Sequence, residues 1–503
     1  MKRLFKRLAT TNISTAYIFV LLGISTLMMA GYFSYAWFTV QGVQKYSVVT
    51  GNLYGTVAIG TNSVTIAGQG VLTYTPTTDS DTITLTVTNT NDRTVKNSIY
   101  YYNLSDSSIK IGYTSDSPTI PTVEGVSIEV GKSLTYKIKI KGASGKQIKI
   151  GLAMGLSNSN LTLPNESIAF SLLSDPAGAE TLVAKANPED LDYNSATANQ
   201  KNQMWTFSHE KTEQLGATTD YRYIGTNPNN YVEFNDELWR IIGVFDTDDG
   251  TGKMEKRLKI IRNESIGAYA WDNKNTSTGA EDYYGKNNWP DARLNYLLNS
   301  DHDSETYGGS LYWNRKSGTC YSGFDNETSS CDFTNIGLKD TSKQMISDAK
   351  WYLGSTTDYR NTSNGLVTHF YKYERGTTVY KSSIDAINWT GKVGLIYPSD
   401  YGYATSGDSS TTRATCFAKE LYNWDDLSAC YKNDWLFKSS NMWPILPSAS
   451  GSGYVFIANF RGSINDNDAA SPRGVYPVVY LKSTISIASG TGSSTDPFIL
   501  SLT

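Results

Sequence analysis

Apolar and polar positions alternate in short runs along most of this chain, and the period of that alternation is two. Thr82 to Thr88 (TITLTVT) sets Ile83, Leu85 and Val87 on one face and threonines on the other, the pattern of a half-buried strand. Leu134 to Ile140 repeats it, with Leu134, Tyr136, Ile138 and Ile140 inward and Lys137 and Lys139 outward. Further strands are expected at Thr56 to Ile59, Ser98 to Tyr102, Gly125 to Val130, Gln147 to Met154 and Ser167 to Leu173. With Gly, Asn, Asp and Pro between them and no amphipathic helical pattern, residues 41–175 read as an antiparallel β-sandwich.

The amino-terminal pattern differs. Lys2, Arg3, Lys6 and Arg7 precede an uncharged stretch whose apolar part, Ala16 to Phe38, is 23 residues long. At about 1.5 Å per residue it can cross the roughly 30 Å hydrocarbon layer as a transmembrane helix. The flanking cations place the amino terminus inside and the remainder outside, so residues 1–40 are expected to anchor a single-pass protein of the cell membrane. Cleavage as a signal peptide, with Ser34 and Ala36 as the small residues, is the alternative and gives a secreted protein.

Residues 176–219, rich in Asn, Ala and Gln, read as a linker with some helix. From 220 to 503 the periods mix, predicting an α+β module with long loops. Tyr221 to Val244 reads as two strands joined by Gly225 to Asn230, and Leu238 to Phe245 pairs with Leu258 to Asn263. One helix is expected from Pro290, and another over Thr341 to Leu353, where Met345, Ala349, Tyr352 and Leu353 share a face behind Asp340. Tryptophans 271, 289, 313, 351, 389, 424, 435 and 443 are scattered through loop-rich sequence, as core anchors or as a row of sugar-stacking rings.

Composition narrows the chemistry. Of 503 residues only 18% are charged, and 44 basic against 48 acidic residues give a net charge of −4, with no basic block beyond the first residues to suggest nucleic acid. Three histidines, His209, His302 and His369, argue against a histidine-based metal or catalytic centre, and no cofactor or metal is expected. Cys320, Cys331, Cys416 and Cys430 form two local pairs whose spacings match no zinc or redox motif; two disulfides, Cys320 with Cys331 and Cys416 with Cys430, fit export. Gly125 to Ser133 imitates a P-loop with one residue too many between its glycines, and reads as a hairpin turn at Gly131. Asp246 to Lys253 imitates a calcium loop with its glycine misplaced, and reads as a solvated turn.

The segments AGYFSYAWF, TITLTVTNTND and IEVGKSLTYKIKI resemble the exported sandwich of camelysin-like and biofilm-matrix proteins of Gram-positive bacteria. That resemblance implies a surface or matrix role; no metal-ligand spacing carries camelysin's protease activity over. The order of Tyr454 to Phe460, a polar loop and Gly474 to Leu481 resembles the end of C-type-lectin-like domains of the formylglycine-generating-enzyme type, although Gly474, Val475 and Tyr476 stand where the family has Gly-Phe-Arg. ELWRIIGV, WPDARLNYLL and SPRGVYPVVYLKS are also similar to modules of Firmicutes surface proteins. The lectin-like resemblance implies a ligand-facing loop, here Asn459, Phe460, Arg461, Asn465, Asp466, Asp468 and Arg473 with Trp443 beside it. The expected function is cell-surface binding or adhesion toward a glycan or protein ligand, without catalysis. A structural surface-layer or matrix-fibre component is the alternative, and an extracellular hydrolase using an Asp or Glu pair is a further one.

Overall fold

A computed structural model describes residues 44–502, apart from 51–52, 60–63, 67–69, 79, 103–108, 115–116, 160, 174–176, 188–190, 194–201, 274–283, 357 and 379–385. The expected anchor at 1–40 lies outside the described residues, among which no helix is long and apolar enough to cross a membrane. The chain divides into two compact units after Ser174, and β-sheets dominate both.

The first unit is built from β1 (Gln44–Thr50), β2 (Leu53–Ile59), β3 (Val64–Ile66), β4 (Val71–Tyr74), β5 (Ser80–Asn89), β6 (Val95–Tyr102), β7 (Lys110–Tyr113), β8 (Val126–Ile128), β9 (Ser133–Lys141), β10 (Ile148–Leu156) and β11 (Ser167–Ala169). One antiparallel sheet runs β1-β2-β5-β9-β7. The other runs β11-β6-β10-β4-β3, with β8 also on β6. The period-two residues meet as expected: Ile83 pairs with Ile138 and Leu85 with Tyr136, and all four are buried. Ile99, Ile150 and Leu152 of the second sheet belong to the same core. The two sheets are also tied by a buried hydrogen bond, Tyr136 Oη donating to Asn97 Oδ1 at 2.9 Å.

Gly131 turns the chain, but not as a hairpin. β8 pairs with β6 while β9 pairs with β5 and β7, so the turn passes from one sheet to the other. Gly131 has φ +71°, left-handed backbone that glycine adopts without a Cβ clash, and its N–H donates to Asn89 O at 3.1 Å.

The second unit holds β12 (Met204–His209), β13 (Thr218–Tyr223), β14 (Tyr231–Phe234), β15 (Glu237–Asp248), β16 (Met254–Arg262), β17 (Ala268–Tyr269), β18 (Ser317–Tyr321), β19 (Thr328–Asp332), β20 (Ala349–Tyr352), β21 (Asn388–Gly391), β22 (Val393–Gly394), β23 (Tyr454–Ala458), β24 (Ile464–Asp468), β25 (Arg473–Gly474), β26 (Val478–Tyr480), β27 (Ile485–Ser489) and β28 (Phe498–Leu502). Its nine-stranded sheet runs β22-β26-β16-β15-β14-β28-β27, with β13 also paired to β15 and β12 paired to β13. β14 and β15 are joined by Asn235 and Asp236, at φ 64° and 59°, a two-residue turn whose twist suits a hairpin. β15 and β16 form the expected hairpin across Asp248 and Gly250, where Asp248 Oδ1 accepts two backbone N–H groups of the turn.

Three expectations are corrected. The linker is part of the second unit: helix Gly178–Val183 and β12 lie in it, and Leu182, Met204, Trp205 and Phe207 enter the core. The helix expected over 341–353 stops at Lys343, and Ala349–Tyr352 is β20, paired with β21. The reason is a competing sheet edge: Ser347 N–H donates to Tyr480 O, Lys482 N–H to Met345 O, and the backbone is held extended. The helix expected from Pro290 is a 3₁₀ turn, Trp289–Asp291, separated by extended Ala292 from helix Arg293–Leu298.

The tryptophans are core anchors rather than a stacking row. Trp271, Trp289, Trp351, Trp424 and Trp443 are fully buried, Trp313 and Trp435 nearly so, and Trp389 is half-buried. Cys320–Cys331 and Cys416–Cys430 are disulfides, the first joining β18 to β19.

Candidate functional site

The predicted loop is a hairpin of β23 and β24 with its turn at 459–463. Asn459 organises the turn: its Oδ1 accepts from the N–H of Arg461 and Ser463, and its Nδ2 donates to Ser463 Oγ. Gly462, at φ +98°, lies against the Tyr431 ring where a Cβ would collide, and its carbonyl accepts from Tyr401 Oη at 2.8 Å. Asn441 Oδ1 receives the Phe460 N–H. Phe460 is nevertheless 52% exposed, with the Arg461 guanidinium 5.3 Å from its ring centre.

The other predicted residues are separated from that tip. Asn465 and Asp466 both accept from the buried Tyr359 Oη, at 2.8 and 2.7 Å, and Asp466 also takes Ser448 Oγ and Arg360 Nη2. Their oxygens hold the hairpin onto the unit. Asp468 lies opposite exposed Tyr454; burial raises its carboxyl pKa and the Arg473 charge opposes that shift. Trp443 is 1% exposed and donates to Tyr269 O at 2.9 Å, so its ring is core rather than a ligand face. The eight residues thus divide into an exposed tip (Phe460, Arg461), a strand edge (Asp468, Arg473), a support (Asn459, Asn465, Asp466) and the core (Trp443). None lines a described cavity.

Sequence reasoning missed a second cluster, sealed inside the same unit. Asp400 accepts from Arg222 Nη1 (2.8 Å), Lys259 Nζ (2.5 Å) and Tyr397 N–H (2.9 Å). Asp220 accepts from Arg222 Nη2 at 2.8 Å, and His209 Nε2 lies 3.1 Å away. Glu374 accepts from Ser399 and Arg375. Burial pushes the Glu374 carboxyl up to about 7, with Arg375 and Ser399 working against it. Burial lowers the Lys259 ammonium to about 8 although Asp400 favours its charge. Burial also raises Asp400, but Lys259 and Arg222 outweigh it and hold the carboxyl below its ordinary value. The rings of Tyr397, Tyr480, Phe245 and Trp351 surround Lys259. The three carboxylates match the three cations, and none of these groups opens onto a described cavity, so the set works as structure: it joins β13 and β16 to the helices Val367–Glu374 and Pro398–Tyr403. Its signal in the sequence is an ionisable residue inside an apolar strand, as in YRYI and LKII.

Among the described residues no group of three or more His, Cys, Asp or Glu is placed to hold a metal ion. The chain matches no protein-family model, no curated protein and no solved structure.

Proposed function

We propose that this is an exported, surface-held binding protein whose second unit presents the β23–β24 hairpin, with no chemistry performed, to a glycan or protein ligand. The observation that carries the reading is the tip. Phe460 stays exposed while Asn459, Asn441 and Tyr401 fix the backbone around it. A large ring presented at the surface by a pinned turn favours recognition, because little ordering remains when a ligand docks. Phenylalanine and arginine are also both enriched at protein interfaces, arginine especially among the residues that carry most of the energy. The lectin-like resemblance supports the same surface, the disulfides support an oxidising compartment, and the cationic and apolar amino terminus supports a membrane anchor.

The test is a glycan array and a panel of immobilised extracellular proteins probed with the full chain. A ligand whose binding falls at least about tenfold in the Phe460→Ala, Arg461→Ala double variant supports the reading. Fibres or lattices without any ligand point to the structural alternative, and release of a cleaved product to a hydrolase.

A further inference from the structure

A groove of about 610 Å³ opens in the second unit, away from the β23–β24 hairpin residues. Its floor is apolar, with Met204, Tyr223 and Phe498 buried beneath it. Its rim carries Lys185, Gln203, Asn227 and Asn229, all exposed, and among the described residues no carboxylate or histidine lines it.

The orientation of the amides decides what the groove offers. Gln203 Oε1 accepts from Asn187 Nδ2 at 3.0 Å. Asn227 Oδ1 accepts from Tyr231 Oη at 3.2 Å and lies 3.4 Å from Arg240 Nη2. With the oxygens of Gln203 and Asn227 turned to protein donors, their NH₂ groups are left to face a ligand, and the Lys185 ammonium adds a positive charge. The scaffold beneath is rigid. Arg240 lies between the Tyr231 and Trp435 rings and bonds Asn230, Asn227 N–H donates to Asn202 Oδ1, and Gly492, at φ +80°, packs against Asn229 O.

The geometry points to this groove as a second binding site, for an anionic, oxygen-rich ligand of the acidic-saccharide class, its carboxylate or phosphate received by Lys185 and the Gln203 and Asn227 amides and its sugar face resting on the apolar floor. A rim that offers a cation and two amide NH₂ donors favours acceptor-rich ligands, and a site of this volume holds roughly two or three sugar rings. The site uses none of the hairpin residues, so it stands or falls separately from the function proposed above.

Calorimetry on the full chain with a galacturonate trimer, a glycerol-phosphate oligomer and neutral maltotriose tests it. Binding of one or both anionic probes at least about tenfold tighter than maltotriose, weakening as salt rises, is the expected result, and the preferred probe distinguishes carboxylate from phosphate. Gln203→Glu keeps the oxygen that Asn187 needs and replaces the donor with a negative charge, and should abolish binding; Lys185→Gln should weaken it about fivefold. The Phe460→Ala, Arg461→Ala variant should bind these probes unchanged. Equal binding of maltotriose, no binding of any probe, or an unaltered affinity in Gln203→Glu overturns the proposal.

Discussion

Arg222 donates from Nη1 to Asp400 and from Nη2 to Asp220, each at 2.8 Å, with all three side chains almost completely buried. One planar guanidinium therefore joins its own strand to the helix Pro398–Tyr403, nearly 180 residues on. Replacing it strands two carboxylates in a low-dielectric interior. Arg222→Met should destabilise the second unit by about 3–5 kcal/mol, and Arg222→Lys by a large share of that, since one ammonium cannot fork to both partners. Urea unfolding followed by tryptophan fluorescence measures this; a loss under about 1 kcal/mol would show that the pairs carry no such weight.

Stability should depend on pH through Glu374. Its folded pKa, about 7, lies above the ordinary glutamate value, so the folded state holds a proton that the unfolded chain releases. The resulting stabilisation is complete below the unfolded pKa of about 4.3 and is lost as pH rises to about 7, amounting to at most about 4 kcal/mol. Lys259, lowered to about 8, adds the opposite slope above pH 8, where the unfolded lysine still binds a proton. His209, lowered by burial, adds a slope of the opposite sign below about pH 6.5, so the Glu374 contribution is read as a difference: between pH 5 and 7 the melting temperature of the wild type should fall relative to that of Glu374→Gln. A Glu374→Gln profile that falls as steeply as the wild type over this interval would refute the assignment.

Trp443 and Phe460 should behave as opposites. Trp443→Ala empties a filled core position and should cost about 3–5 kcal/mol of stability. Phe460→Ala removes a ring already half in water and should change stability by less than about 0.5 kcal/mol, whatever it does to binding. Paired thermal melts decide it; equal losses would mean that the tip is packed against something in the native protein.

Gly243 sits beside the irregularity in β15 where β13 joins the sheet, and an added Cβ would lie 2.2 Å from Tyr221 O. Since the obstacle is backbone, Gly243→Ala should push β13 and β12 away from β15, with a loss on the order of 2–3 kcal/mol. Faster amide exchange in β12 and β13 than in β16 would locate the damage; uniform exchange would contradict it.

The disulfide Cys416–Cys430 closes a 14-residue separation with both cysteines fully buried. Replacing both with serine should lower stability by about 3 kcal/mol in the chain-entropy account. Added reductant should mimic the effect only once the unit begins to open, and rapid reduction under native conditions would show that the bond is more accessible than its burial implies.

The strands of the first unit were legible because a sheet buried on one face writes its period directly into the sequence: Ile83, Leu85 and Val87 could face only one way. The local cysteine pairs were legible for a similar reason, since sequence neighbours are near in space in most folds. The stretch 341–353 has helical spacing, yet its helix ends at Lys343: residues 345–347 bond the edge at Tyr480 to Lys482, more than a hundred residues away, and 349–352 pairs with β21, partners that no local pattern encodes. Gly131 was recognisable as a turn, but whether it closes a hairpin or crosses between sheets depends on which strands β8 and β9 meet. The composition of the 459–473 loop with Trp443 beside it suggested a ligand surface, and packing then divided the set, sending Trp443 inward and leaving Phe460 outside. Sequence by itself determined what is local and periodic: the strands, their buried faces and the cysteine pairs. Tertiary structure alone decided which charges are sealed together and which amide oxygens are already taken, because both depend on contacts between residues far apart in the chain, where burial sets the energy of every polar group.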